Sequence, residues 1–114
     1  MSADTELWTC EDRDLGGLLP RSPDWDVHGG VFEFDGGGWL LSVSIPETVE
    51  ADEVPADLAA LVDGLRFRVD LGVEPSNPPA EAWAFFREVL EQLGGPLRGA
   101  GYDPESGRAV SWTR

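Results

Sequence analysis

A nine-residue segment of strict alternation constrains this fold more than any other feature of the sequence. From Leu65 to Val73 every second residue is apolar, and Arg66, Arg68 and Asp70 stand between the first of them. Side chains of a β-strand point alternately to opposite faces, so this period predicts a strand with one buried and one polar face. Such a strand needs neighbouring strands and an apolar layer, which indicates a packed domain built on a sheet.

A second periodic segment predicts one amphipathic helix. Apolar residues recur there at spacings of three and four, namely at Ala82, Trp83, Phe86, Val89, Leu90 and Leu93. An α-helix with 3.6 residues per turn brings such positions onto one side, where they face a core. We expect Asn77 to cap this helix with Pro78 at its first position. We expect Gly94-Gly95-Pro96 to end it.

The other predicted elements follow from shorter patterns. Along the chain they are a strand over 6–10, an irregular connection over 15–30, a hairpin of strands 31–35 and 39–45 turning at Gly36-Gly37-Gly38, an acidic loop over 47–54, a short helix over 55–64, and a final hairpin of 97–102 with 108–113. This order predicts a single α+β domain over 1–114. Its core would be one antiparallel or mixed sheet with both helices packed on one face.

Acidic charge is concentrated in the first half of the chain, which has a formal net charge of −14 overall. Up to Asp63 there are 15 acidic residues against Arg13 and Arg21, whereas the remainder has 7 acidic residues against 6 arginines and the chain has no lysine. Such an excess is either tolerated for solubility or retained for a cationic partner. A GC-rich genome would also explain arginine without lysine, and a halophilic source would also explain the acidity.

Composition excludes several classes of partner and location. Nucleic acid and anionic membranes need a basic surface, so neither is expected as a direct ligand. The apolar runs are too short for a membrane-spanning helix, and the first residues carry no basic or apolar signal segment. Cys10 is the only cysteine, so an internal disulfide is impossible. We therefore expect a cytoplasmic protein.

Two acidic segments are candidates for binding a protein partner. Trp25 lies between Asp24 and Asp26 in a segment rich in proline and glycine, where its indole could serve as an interface anchor. The second segment offers a run of carboxylates without a cation, namely Glu47, Glu50, Asp52, Glu53 and Asp57. A solvated face is the simple interpretation of such a run, and an acidic docking surface is the functional one.

Catalytic and metal chemistry finds little support in the sequence. Asp24, Asp26 and His28 alternate, and in an extended chain they would offer three ligands for a divalent metal on one side. Cys10 and His28 could form a nucleophile with its base, but no orienting third residue is evident. We expect neither an enzyme nor a bound cofactor or metal.

Three features of the second half occur together: the alternating strand 65–73, the amphipathic helix 83–93, and an ending with Gly94-Gly95 and Tyr102-Asp103-Pro104-Glu105-Ser106-Gly107. In this combination the chain resembles small acidic immunity proteins of bacterial toxin systems. The resemblance implies a stoichiometric inhibitor that occupies the basic site of a toxin, a nuclease or another nucleic-acid-handling protein. Anti-restriction and anti-CRISPR proteins would show the same features. The alternative is a small adaptor or a subunit of a larger assembly.

Overall fold

The computed structural model describes residues 3–75 and 77–112, which contain eight strands, two α-helices and two 3-10 turns. The strands are β1 (Ala3–Thr9), β2 (Trp25–His28), β3 (Val31–Asp35), β4 (Leu40–Ser44), β5 (Glu47–Thr48), β6 (Phe67–Glu74), β7 (Gly99–Tyr102) and β8 (Ala109–Ser111). The helices are α1 (Ala56–Leu61) and α2 (Ala80–Leu97), and the 3-10 turns are Leu15–Gly17 and Ala51–Glu53. Within this described part, neither helix has the length and apolar content needed to cross a membrane.

One antiparallel sheet contains every strand in the described residues, in the order β2-β3-β4-β6-β1-β7-β8. The alternating segment forms β6 near the centre, where it pairs with β1 from Ala3↔Val73 to Thr9↔Phe67. β4 and then β5 pair with its other edge. The predicted α+β class with an antiparallel sheet is confirmed. Because β6 has neighbouring strands on both edges, its alternation is the most regular in the chain.

One face of the sheet packs against α2. The strands contribute Leu7, Leu41, Val43, Val69, Leu71 and Val73, and all of these side chains are buried. The helix contributes the apolar stripe that its sequence predicts, and this stripe continues to Leu97. Removing these side chains from water stabilises the fold by roughly 25 cal/mol per Å² of apolar surface, so this layer is the main core.

A second, smaller core lies on the other face of the sheet. Trp8 and Ala100 point opposite to Leu7 and Gly101 on their strands, and they pack with Leu58 of α1. Other members of this cluster are Cys10, Val49, Val62 and Leu65. The contacts therefore place α1 and α2 on opposite faces, which differs from the expectation that both helices cover one face. The alternation of β1 is the reason, because its apolar Leu7 and Trp8 are neighbours and each needs its own cover.

Both ends of α2 differ from the prediction. The helix begins after Pro79, and Asn77 lies outside it. It continues through Gly94-Gly95-Pro96 to Leu97 and is followed by Arg98, whose φ is 55°. Glycine is needed at position 94 because a Cβ there would lie 2.5 Å from the Cβ of Trp112. Burial of Leu97 and close packing on Trp112 outweigh the low helix propensity of glycine and proline.

Two strands lie where the sequence predicts irregular chain. Trp25–His28 forms β2 within the connection 15–30, and Gly29 and Gly30 turn it into β3 with φ of 54° and 80°. Positive φ at both central residues is the geometry of a two-residue hairpin turn. Glu47–Thr48 of the acidic loop forms β5. The final hairpin is confirmed over Gly99–Tyr102 and Ala109–Ser111, and Thr113 lies outside the described residues.

Candidate protein-interaction surface

The polar side of the sheet is uncovered over β2, β3, β4, β6 and the beginning of β1, because α1 covers only the part near β7 and β8. We call this uncovered area the open face. Its carboxylates come from four strands and are Asp4, Glu6, Asp26, Glu33, Asp35, Asp70 and Glu74. It also contains the small residues Ser42, Ser44 and Gly72. Strand register thus collects on one surface acidic residues that are far apart in the sequence.

One row of directly paired residues shows how this surface is built. Across five strands the register reads Asp26, Glu33, Ser42, Gly72 and Asp4. Acidic residues stand at both sides and small residues in the middle, so the row forms a shallow trough. The Ser42 hydroxyl donates to the Gly72 carbonyl at 3.5 Å, which turns its side chain towards the floor.

Two pairs of like charges face each other on the open face. Asp26 lies opposite Glu33 in the β2–β3 register, and Glu6 lies opposite Asp70 in the β1–β6 register. Like charges directly opposite each other destabilise a sheet, on a scale of roughly 0.2–1 kcal/mol for such pairs. Without a compensating side chain between its members, each pair would therefore oppose folding.

One histidine or arginine side chain bridges each of these acidic pairs. His28 Nε2 lies 2.8 Å from Glu33 Oε1 and 3.6 Å from Asp26 Oδ2. Arg68 Nε lies 3.5 Å from Glu6 Oε2 and 3.3 Å from Asp70 Oδ1. The Arg68 guanidinium also rests over the Trp8 ring at 5.7 Å. In each cluster at least two carboxylates surround one histidine or arginine side chain, so the open face keeps its negative charge.

The predicted acidic run lies on the same side of the sheet as the open face. Val49 and Val54, which lie within this run, pack in the α1 cluster, which covers the other half of that side. Four of its carboxylate residues are exposed around α1, namely Glu50, Asp52, Glu53 and Asp57, and Glu47 is exposed on β5. Asp24 and Asp26 of the other predicted segment are exposed at the β2 edge. The structure thus brings both predicted acidic segments to one side.

Trp25 takes a different position from the one its sequence context implied. Its ring is half-buried on the α2 face, with its centroid 5.3 Å from that of Phe34 and 6.0 Å from that of Phe85. Its indole N–H donates to the Pro20 carbonyl at 2.9 Å. Trp25 thus packs against the main core, because β2 alternates and directs Trp25 away from the face that carries Asp26. Its role as an interface anchor stays a prediction.

Arginine side chains neutralise little of this acidic side. The ion pairs of the described residues join Arg13 to Glu11, Arg87 to Asp103 and Glu105, and Arg68 to Glu6, Glu47 and Asp70. Of the eight residues predicted to bind a partner, Glu47 is the one whose carboxylate contacts an arginine within the described part of the chain.

The titratable groups near α1 are held in unreactive states. Burial and a 2.7 Å hydrogen bond to Asp57 raise the pKa of the Tyr102 hydroxyl to about 12. Burial also raises the pKa of the Cys10 thiol, which donates to the Asp63 carbonyl at 3.2 Å. A protonated thiol is a poor nucleophile. Over residues 3–75 and 77–112, no group of three or more His, Cys, Asp or Glu side chains is placed to hold a metal ion.

Sequence reasoning missed six of the seven acidic residues on the open face. They are Asp4, Glu6, Glu33, Asp35, Asp70 and Glu74. Alternation already assigned Glu33, Asp35 and Asp70 to the polar side of their strands. What the sequence did not reveal is that β6 lies between β4 and β1, which brings these strands side by side.

Comparisons with known proteins give no relative from which a role could be inferred. Neither a scan against protein-family models, nor a search of curated proteins, nor a search of solved structures finds a match.

Proposed function

We propose that this chain is a non-catalytic acidic binding protein that inhibits a cationic partner in a one-to-one complex in the cytoplasm. The partner would be a toxin, a nuclease or another nucleic-acid-handling protein, as the resemblance to small immunity proteins implies. The observation that carries this proposal is the collection of carboxylates from four neighbouring strands on the open face. The exposed carboxylates Glu50, Asp52 and Glu53 around α1 extend the same side.

The spacing of these carboxylates suits a site that normally accepts phosphate groups. Asp4 and Glu6 are two residues apart on β1, as are Glu33 and Asp35 on β3. Two residues of a strand span roughly 6.7 Å. This distance is of the same order as the repeat of a nucleic-acid backbone, and arginine and lysine bind carboxylate and phosphate oxygens alike. The open face therefore offers a basic site an alternative set of anions.

Electrostatics would act first on the rate of association. A net charge of −14 with carboxylates gathered on one side attracts a cationic protein over distances longer than direct contact. The Debye length is about 8 Å at physiological ionic strength, so added salt weakens this attraction. A complex formed in this way associates quickly at low salt and progressively more slowly as the ionic strength rises.

Capture from the native host, followed by reconstitution, tests this function. The tagged chain is used as bait at low and at high salt, and the captured protein is identified by mass spectrometry and purified. We expect a protein with an excess of arginine and lysine, released at high salt. The captured protein should lose its nucleic-acid binding or nuclease activity when one equivalent of the chain is added. A captured partner without basic excess, or one that stays fully active at several equivalents, would contradict the proposal.

An adaptor role is the second candidate, and exposed apolar residues beside an edge strand favour it. Val27 is 58% exposed on β2, and Ile45 is 51% exposed just after β4. Both lie on the α2 side of the sheet, away from the open face, because they alternate with Asp26 and Ser44. Binding through these residues would depend weakly on salt, whereas binding through the open face would depend on it strongly.

A further inference from the structure

The outer edge of β2 is free to pair with another strand. Within the described residues, β2 is the first strand in the sheet order and has a neighbour only on its β3 side. The Asp35 N–H donates to the Asp24 carbonyl across these two strands at 3.3 Å. Hydrogen-bonded pairs of an antiparallel ladder occur at every second residue, so the N–H and C=O groups of Trp25 and Val27 point away from β3. This edge therefore offers backbone donors and acceptors to a further strand.

The centre of this edge is accessible. Asp26, Val27 and His28 are all exposed, and Val27 keeps 58% of its surface exposed on the α2 side of the sheet. The Val27 N–H has a local acceptor, Oδ1 of the neighbouring Asp26, at 3.2 Å. A carbonyl oxygen of an incoming strand can replace that exposed carboxylate. The Asp26 carboxylate then becomes available to a cationic group of the same strand.

Carboxylates on the open-face side of this edge determine the charge of the strand that it can accept. Beside the edge lies a recess of about 500 Å³, whose lining includes Asp24, Asp26 and Asp35. His28 and Glu33 also line it, and they contact each other. Asp24 and Asp35 accept hydrogen bonds from neutral groups, a serine hydroxyl and a backbone N–H, and these leave the carboxylate charge uncompensated.

This charge separates two occupants of the edge, a second copy of the chain and a cationic segment. A second copy would add another net charge of −14 and bring its own Asp24 and Asp26 to the same edge. Charged side chains on an edge strand commonly prevent such self-pairing. An extended segment with arginine or lysine is attracted at the same positions. The acidic edge therefore disfavours a second copy and favours a basic strand.

Resting on the function proposed above, we infer that β2 receives an extended segment of the cationic partner as a further antiparallel strand. All strand pairs of the described sheet are antiparallel, and this arrangement is the more stable one per residue. Residues of the segment opposite Trp25 and Val27 lie on the α2 side, are apolar, and exchange backbone hydrogen bonds with β2. Residues opposite Asp24 and Asp26 lie on the open-face side and are arginine or lysine.

Two synthetic peptides of identical sequence and charge serve as probes. Each has about eight residues, the length of an ordinary strand, in which arginine alternates with valine. N-methylation of the two central valines in the first peptide removes N–H groups that we expect to face β2. N-methylation of the two central arginines in the second removes N–H groups that we expect to face solvent. Each peptide is titrated at low salt into the isotope-labelled chain, and amide chemical shifts give the binding surface and the dissociation constant.

Val27→Pro tests the same pairing from the side of the protein without changing its charge. The N–H of this residue points away from β3, and proline is tolerated on an edge strand for that reason. Val27→Thr keeps the backbone donor and a similar shape, so it is the matched control. Thermal unfolding confirms that each variant is folded. The comparison of the two peptides needs no variant and decides the question even if Val27→Pro does not fold.

We expect the arginine-methylated peptide to shift amides of β2 and β3 and to bind about tenfold more tightly than the valine-methylated peptide. Val27→Pro should weaken its binding about tenfold, and Val27→Thr by less than about threefold. Equal binding of both peptides to the open face, the reverse preference, or unchanged binding to folded Val27→Pro would overturn the strand inference and leave the proposed function standing. Shifts centred on α2, or no binding by either peptide, would overturn both.

Discussion

Trp25 lies between two carboxylates in the sequence and packs against two aromatic rings in the structure. Its neighbours Asp24 and Asp26 are exposed, whereas its own ring packs against Phe34 and Phe85. Strand alternation alone accounts for this separation, since adjacent side chains of β2 point to opposite faces. A tryptophan in an acidic segment is therefore weak evidence for an interface anchor until the local secondary structure is known.

Tyr102 is the only tyrosine, so its titration can be followed without interference from another phenol. Burial and the hydrogen bond to Asp57 raise its pKa from 10 to about 12. A raised pKa means that the protonated phenol stabilises the folded state. This contribution is complete below pH 10 and is lost as the pH rises towards 12.

We predict a phenolate titration midpoint near 12 in the folded protein, measured by ultraviolet absorbance. Asp57→Asn removes the negative charge beside the hydroxyl and should lower that midpoint towards 10. Asp52→Asn removes an exposed carboxylate of the same acidic run and serves as the control, with no change expected. A wild-type midpoint at 10 that Asp57→Asn does not move would show that the Tyr102–Asp57 contact is absent in solution.

At the scale of elements, packing decides where α2 ends. The prediction placed its end at Gly94-Gly95-Pro96 because these residues have low helix propensity. The structure carries the helix to Leu97 because Gly94 lets Trp112 approach and Leu97 is fully buried. Proline in the final turn removes only one backbone hydrogen bond, which the burial of Leu97 offsets.

We predict that Gly94→Ala lowers the free energy of unfolding by about 1–2 kcal/mol, measured by urea denaturation, because the new methyl group overpacks Trp112. Glycine to alanine in an unobstructed helix would instead stabilise by about 0.5–1 kcal/mol. Gly17→Ala is the control, since a Cβ there meets no atom within 4 Å and its φ is not positive. It should leave stability unchanged or slightly raised. Stabilisation by Gly94→Ala would contradict the close contact with Trp112.

The elements that could be predicted are those whose period is undisturbed. β6 and the middle of α2 show alternation and helical spacing over their whole length, and both were found. β2 was missed because it has only four residues, three of them polar or aromatic, in a segment rich in glycine and proline. β5 was missed because its two residues depend on pairing with Arg68 and Phe67 of β6, which only the tertiary structure provides.

At the scale of the whole molecule, sheet order converts scattered acids into one surface. The run from Glu47 to Asp57 was visible in the sequence, because its members are close along the chain. The pairing of β6 with both β4 and β1 was not visible, and it is what brings Glu33, Asp70 and Glu6 onto the same face. The sequence therefore predicted that the candidate surface is acidic and identified some of its residues. The carboxylates at the centre of the surface could be assigned only from the fold.

The like-charge pair of Asp26 and Glu33 allows the contribution of the open face to binding to be separated from its contribution to stability. Removing the charges of Asp26 and Glu33 relieves their repulsion across β2 and β3 and also removes the contacts of both carboxylates with His28, so we expect the free energy of unfolding to change little. The same change should impair binding if the open face meets the partner. Association would then slow while stability stays nearly unchanged, which a purely structural role does not produce.

The rate of association between the chain and its captured partner, compared for two matched double variants, tests the central claim most directly. Asp26→Asn with Glu33→Gln removes two negative charges from the open face, and Glu88→Gln with Glu91→Gln removes two exposed charges from α2. At low salt we predict roughly a three- to tenfold slower association for the first variant and a clearly smaller effect for the second, with both differences vanishing at high salt. Equal slowing by the two variants would contradict the account.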